Sequence, residues 1–327
     1  YVTIPIQITD RDLIKWQLFM DEAARLHIIP ILRIATEPFY ANTHVWRRPS
    51  DLDIIDQANF LNSLNWPTKN RYIIVFNEMN RFDEWGGNSP APKEYAEVLM
   101  YTYEIFKRRN NDFYIIMGGL DNAAPSDSKH LNYLQYLEQM YAHNKEIFDK
   151  MDGFSSHSYP NPGFIAPPSM TSRMGVATYR YEHAYINARA KSSKPVFITE
   201  TGWDQFALSQ SLISANWRET FDSIWNKDRD KIVAITPFLL NSAGGPFDKF
   251  SFLKNGVPTE SYTTIKNIQK IKGEPVATVP VFASALQVQG FPVVAMNFDK
   301  SNYSKPDPQN ATRALRFYAK SFFGLRR

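Results

Sequence analysis

The sequence predicts an α/β fold, a (β/α)8 barrel of the TIM type, and three observations carry that prediction. Short runs rich in Val, Ile, Phe and Tyr recur along the 327 residues and are too continuously apolar for half-exposed antiparallel strands. Segments of helical period lie between them, with apolar residues on one stripe and charges opposite. The strand positions Leu32, Val75, Ile116, Ser155, Ile198 and Pro237 return at steps of 39 to 43 residues. A strand–loop–helix–loop unit of constant length with no repeated residues is an architectural period, and it builds a parallel sheet with helical crossovers. The rival, a doubly wound open sheet, wants a Gly-rich dinucleotide turn after an early strand, and none is present.

Taken in order, the strands are "YVTIPIQ", "IIPILRI", "YIIVFNE", "FYIIMGG", "DGFSSHSY", "PVFITE" and "IVAITPFLL". "LIKWQLFMDEAARLH" reads as a helix with Leu13, Trp16, Phe19 and Met20 on one stripe. "PKEYAEVLMYTYEIFKRR" reads as another, with Pro92 in its first turn, where a missing N–H costs nothing. Seven strands leave a barrel one short. Either the first β/α unit has been trimmed away, or the C-terminal segment supplies it. "GFPVVAMNF" is a strand candidate, and "PQNATRALRFYAKSFFGL", with Leu315, Phe317, Tyr318, Phe322 and Phe323, is a helix candidate. The chain therefore divides into a barrel domain, 1–273, and an extension, 274–327, that completes or packs on it.

Composition narrows the function classes. At 43% hydrophobic residues the chain can bury a sizeable core. The net charge of +4 arises from 37 basic and 33 acidic residues spread along the chain, so no nucleic-acid partner is expected. No apolar run reaches the length of a membrane span. The absence of Cys excludes disulfides, thiolate metal sites and a thiol nucleophile. Tyr1 opens the sequence with neither a methionine nor an apolar leader, and the expectation is a secreted or cell-surface product whose signal or anchor has been removed.

Two of the strands end on a carboxylate: "YIIVFNE" on Glu78, preceded by Asn77, and "PVFITE" on Glu200. With "YVTIPIQ" counted as the second barrel strand, these are the fourth and seventh. In such a barrel the reacting groups stand at the C-terminal ends of the strands. Two carboxylates there can flank one glycosidic bond, and in retaining hydrolysis they stand ~5 Å apart, one as nucleophile and one as acid/base.

With these residues the chain resembles the retaining glycoside hydrolases of clan GH-A, the 4/7 superfamily, over about Tyr1 to Gly273. The resemblance implies that Glu78 is the general acid/base and Glu200 the nucleophile. It implies that Asn77 hydrogen-bonds the sugar 2-hydroxyl, that the substrate is a β-linked oligo- or polysaccharide, and that no cofactor is needed. Two positions depart from the family pattern: Met79 follows the Asn-Glu pair in place of the common proline, and "TPFLLN" lacks the tryptophan that often floors the sugar site.

Further candidates stand beside the pair. His157 and Tyr159 close the strand "DGFSSHSY" and can reach the mouth, the resemblance implying a role beside the nucleophile. Trp85 and Trp203 follow the two acid-bearing strands and are candidate platforms for apolar sugar faces, or else packing under their loops. Arg33 can bind a substrate carboxylate, neutralise Glu200 or form a barrel-top ion pair. Asn241 and Phe247, in the loop "NSAGGPFDKFSF", are expected to line a subsite. Four functions compete for such a chain: the retaining glycosidase or a transglycosylase with the same pair, a non-catalytic carbohydrate-binding barrel, a metal-dependent barrel hydrolase, and a nicotinamide reductase. The six histidines show neither H-x-H nor H-x-x-x-H spacing, so no metal is expected, and no Tyr-Lys-Asp-His set can be assembled for the reductase.

Overall fold

A computed structural model describes residues 1–39, 42–242, 244–271, 273 and 275–278. Seven parallel strands form one sheet in chain order: β1 (Val2–Gln7), β2 (Pro30–Ala35), β3 (Arg71–Val75), β4 (Phe113–Met117), β5 (Gly153–Ser156), β6 (Val196–Ile198) and β7 (Ile232–Ile235). The crossovers carry α1 (Leu13–Arg25), α2 (Asp51–Ser63), α3 (Pro92–Arg109), α4 (Tyr133–His143), α5 (Tyr179–Asn187) and α6 (Gln210–Thr220), and α7 (Glu260–Asn267) follows β7. Helix starts follow local chemistry. The Asp12 side chain accepts from Lys15 N–H at α1, Ser50 and Asp53 form a reciprocal capping box at α2, and Pro92 opens α3. The stripe of α1 buries Trp16, Met20 and Ala23, whereas Leu13, at the helix start, is 49% exposed rather than part of the core. No helix among the described residues is long and apolar enough to cross a membrane.

The strands are apolar on both faces because both faces are covered. Leu32, Ile34, Ile73, Val75, Met117 and Ile198 face the helices, and Ile31, Tyr72, Ile74, Ile116, Phe197 and Ala234 form a second core inside the curl of the sheet. Each Leu, Ile, Val, Met or Phe among them, fully buried, contributes ~1.5–3 kcal/mol. Tyr72 packs against Tyr1, Tyr114 and Phe197 at ring-centroid distances of 5.8, 5.1 and 5.6 Å. That aromatic layer plugs the N-terminal end of the curl, so the inward positions further along the strands belong to the opposite mouth.

The sheet curls until its two edges approach across the interior, where Thr3 Oγ1, on β1, is 2.7 Å from Thr236 Oγ1, just after β7. β1 and β7 each pair on one side only among the described residues. The observed architecture is therefore a curled seven-stranded parallel sheet with helices. The strand and helix candidates within 290–325 lie outside the described residues. Residues 276 and 278 are attached to the sheet: Lys69 N–H donates to the Val276 carbonyl at 2.8 Å and Thr278 N–H to the Pro67 carbonyl at 3.2 Å, beside the start of β3.

Where β4 ends, Gly118 and Gly119 let three strand ends converge. A Cβ on Gly118 would lie 2.6 Å from the Val75 carbonyl oxygen, and one on Gly119 would lie 2.3 Å from His157 Cδ2 and 2.4 Å from its Nε2. The imidazole is 2% exposed and has little room to withdraw. Gly119→Ala is therefore expected to cost ~1–3 kcal/mol of stability, the usual scale of overpacking, and to displace the His157 ring. Chemical denaturation together with imidazole NMR shifts reads both effects; unchanged stability and unchanged shifts would contradict the close approach.

Candidate active site

Beyond β3 the backbone makes an abrupt excursion. Phe76 (φ 65°) and Glu78 (φ 39°) both occupy the left-handed region that non-glycine residues seldom adopt. Phe76 turns outward to pack edge-on against Trp85 at 5.8 Å. Glu78 N–H donates to the Gly119 carbonyl at 2.8 Å, and buried Asn80 ties the segment to β4's end by donating to the Asp121 and Leu131 carbonyls, both at 2.9 Å. The strained segment is thus held by its neighbours and presents Asn77 and Glu78 to the mouth.

Glu78, Glu200 and His157 meet there. One carboxylate oxygen of each glutamate and His157 Nδ1 all lie within 4.8 Å of one another. Nδ1 is 2.8 Å from Glu78 Oε1 and 3.8 Å from Glu200 Oε2. Arg33, inward-facing on β2, points Nη1 at Glu200 Oε1 at 3.2 Å and also donates to Asn77 Oδ1. Tyr159 donates its hydroxyl to Glu200 Oε2 at 3.2 Å. The glutamate side chains are only 14% and 16% exposed, so their charges are balanced by protein partners rather than by bulk water.

The electrostatics follow from that confinement. Burial, the largest influence on His157, pushes its pKa down. The Glu200 charge and the Glu78 hydrogen bond and charge outweigh it, leaving the group at about 9. His157 is an imidazolium between two acids at neutral pH. Burial, with Glu200 and Glu78 next, raises the Tyr159 phenol well above its ordinary value, which keeps it a donor.

Six of the sequence candidates, Glu78, Glu200, Asn77, His157, Tyr159 and Arg33, share one cluster. Arg33 takes the Glu200-neutralising place among the alternatives considered for it. Trp85 and Trp203 require correction: each is 1% exposed and offers no ring face to a ligand. Trp85 packs between Phe76 and Tyr95, and Trp203 packs edge-on against Trp217 at 4.8 Å while donating to the Ala166 carbonyl at 2.9 Å. Asn241 is half-buried in the segment between β7 and the short turn Asp248–Phe250.

Several residues escaped the sequence reading. Arg81, three residues after Glu78, reaches Glu78 Oε2 and Asp121 Oδ2, each at 3.4 Å, and Asp83 at 2.8 Å. Glu84 is raised to about 7, by burial first and by the Glu78 charge next, with Arg33 and Arg81 opposing. A chain of rings leads outward from Glu200: Tyr159 touches Phe250 at 5.6 Å, Phe250 touches Phe238 at 5.9 Å, and Phe238 touches Phe247 at 5.5 Å. Phe247, already expected at a subsite, is 52% exposed, so its ring, unlike the tryptophans, has an open face.

The sequence suggested no metal constellation, yet Glu78, His157 and Glu200 are close enough to share an ion. The donor chemistry fits one poorly. His157 holds a proton up to about pH 9, and Arg33 and Arg81 already neutralise the carboxylates at 3.2 and 3.4 Å.

No protein-family model and no curated protein matches the chain. Solved structures do. A family 39 glycoside hydrolase from the gut symbiont Bacteroides cellulosilyticus WH2 superposes with a TM-score of 0.56 at 15% identity, covering 80% of this chain and 56% of that one. A family 39 β-xylosidase from Caulobacter crescentus gives 0.53 at 14% identity over 85% of this chain and 73% of that one. A family 128 endo-β-1,3-glucanase from Sorangium cellulosum gives 0.51 at 14% identity over 74% and 81%. The chain thus spans little more than half the length of the first of these. At such identities the likeness is one of fold: this chain has the curled parallel α/β sheet of glycoside hydrolases, the group its strand-end motifs resemble.

Proposed function

We propose that the chain is a retaining glycoside hydrolase that cleaves β-glycosidic bonds of an oligo- or polysaccharide by double displacement. The observation that carries this reading is the approach of Glu78 and Glu200, from the ends of β3 and β6, to within 4.8 Å at one mouth of the sheet. A retaining pair stands ~5–5.5 Å apart, whereas an inverting pair needs ~6.5–9.5 Å to admit a water molecule. Glu200, oriented by Arg33 and Tyr159, attacks the anomeric carbon while Glu78 passes to the departing oxygen the proton it shares with His157 Nδ1 across 2.8 Å. Glu78 then takes a proton from the water that hydrolyses the glycosyl-enzyme. Arg33 engages the Asn77 amide oxygen, which leaves the amide N–H groups to donate to a sugar hydroxyl. The protonated His157 limits repulsion between the two acids. In the same reading the curled sheet is a (β/α)8 barrel, 1–273, whose remaining unit either precedes residue 1 or is drawn from 274–327.

Glu78→Gln is expected to lower turnover of a β-linked substrate by ~10²–10⁴-fold, the scale of general acid–base catalysis, and Glu200→Gln by ~10⁴-fold or more. Azide added to Glu200→Ala should yield a glycosyl azide of inverted configuration. Full activity in both Gln variants would end the assignment, and loss of activity on EDTA treatment would favour the metal-dependent alternative. Phe247→Ala should raise KM on oligosaccharides several-fold and leave kcat on a small aryl glycoside unchanged; an equal loss on both substrates would remove the ring from the binding surface.

The His157 shift also predicts a pH dependence of stability. Its folded pKa, about 9, exceeds the ordinary 6.5, so the folded chain binds the extra proton between those values. The stabilisation is full below pH 6.5 and is lost as pH rises through 9, an effect of ~3 kcal/mol. Denaturation of wild type and His157→Gln across pH 6 to 10 should show a steeper decline in wild type between pH 7 and 9, beyond the range in which the raised Glu84 and Glu182 contribute; parallel curves over that span would refute it.

A further inference from the structure

Behind the acids lies a buried polar chain that the reaction does not use. Glu182, on α5, is 0% exposed. Its Oε2 accepts from Ser156 Oγ, and Ser156 Oγ is 2.9 Å from Ser158 Oγ. Ser158 Oγ accepts from Tyr179 N–H at 3.3 Å, and the Ser158 carbonyl accepts from Thr201 Oγ1 at 2.8 Å. Ser156 and Ser158 flank His157, and Thr201 follows Glu200. One hydrogen-bonded line therefore runs from the Glu182 carboxyl to the backbone beside the imidazole and on to the residue beside the second acid. Glu182 Oε1 and the Tyr133 hydroxyl are buried alongside with no protein hydrogen-bond partner, and the buried Asn122 amide faces the Glu182 carboxyl. Buried polar groups in that state are costly.

We propose that Glu182 is a positioning residue whose carboxyl, through Ser156 and Ser158, holds His157 and Glu200 in place and whose charge adds to that of the two acids around the imidazole. The catalytic consequence rests on the glycosidase reading; the coupling to His157 does not. Facing Glu182 are Ser156 and His157 from the end of β5, Asn122 from the segment after β4, and Tyr133 from α4, whose phenol also senses Arg173 and Tyr181. Burial raises Glu182 to about 7, against opposing pulls from the Ser156 hydrogen bond, the His157 charge and Asn122. It is neutral in mild acid and charged in mild base, and its ionisation then favours the proton on His157.

The test is a ¹⁵N NMR titration of the His157 imidazole in the full chain, with the resonance identified by its loss in His157→Gln. Wild type should show an inflection near pH 7, from Glu182, ahead of the titration of the ring itself near 9. Glu182→Gln should lose the first inflection and lower the second midpoint by ~0.5–1 unit. Glu84→Gln must keep the first, because Glu84 also titrates at about 7. An inflection that survives in Glu182→Gln, or vanishes in Glu84→Gln, overturns the proposal. If Glu182→Gln fails to fold, the wild-type curve still decides, since a single transition excludes the coupling. The alkaline limb of kcat/KM should move to lower pH in Glu182→Gln with the NMR midpoint. If the chain hydrolyses no glycoside, the glycosidase reading fails while the titration still tests Glu182.

Discussion

Two carboxylates held within 4.8 Å of each other, in a site that excludes most water, repel strongly, and the rest of the structure near the mouth can be understood as the means of holding them there. The counter-charges come from three directions. His157 lies between the acids, Arg33 reaches Glu200 from β2, and Arg81 reaches Glu78 from its own loop. None is a flexible surface lysine. Each is fixed by a strand or a tight turn, so neutralisation does not require ordering a long mobile side chain on binding.

The fold makes such confinement inexpensive. A parallel sheet curled on itself places the C-terminal ends of all its strands at one mouth, and the aromatic layer of Tyr1, Tyr72, Tyr114 and Phe197 closes the other end. Inward positions near the plug are apolar and those near the mouth are polar: on β2 alone, Ile31 lies in the inner core and Arg33 faces the acids. The left-handed backbone at Phe76 and Glu78 aims the acid-bearing segment at the mouth, and Gly118 and Gly119 provide the space that the converging backbone and the imidazole require.

Ionisable groups extend well beyond the two acids. Glu84 and Glu182 are both raised to about 7, the first near Glu78 and the second behind His157. The site is better regarded as a set of coupled protons than as two isolated acids, and any measured pKa belongs to the set.

The alternation of strand and helix, the two-sided burial of the strands and the terminal acids were legible in the sequence, because they depend on local period and on residue type at strand ends. Which of the candidate rings are open was only partly legible: Phe247, expected at a subsite, is exposed, whereas the two tryptophans are not. Trp85 and Trp203 stand seven and three residues beyond Glu78 and Glu200, but their indoles turn into the core, and sequence distance says nothing of side-chain direction. The contacts that define the site join residues 79 apart, for His157 and Glu78, and 167 apart, for Arg33 and Glu200. Pairings of that range follow from how the sheet curls and how its helices pack. The sequence by itself determined that two glutamates end two buried parallel strands; only the tertiary structure decided that they face each other across a histidine, because that distance is set by packing summed over the whole chain.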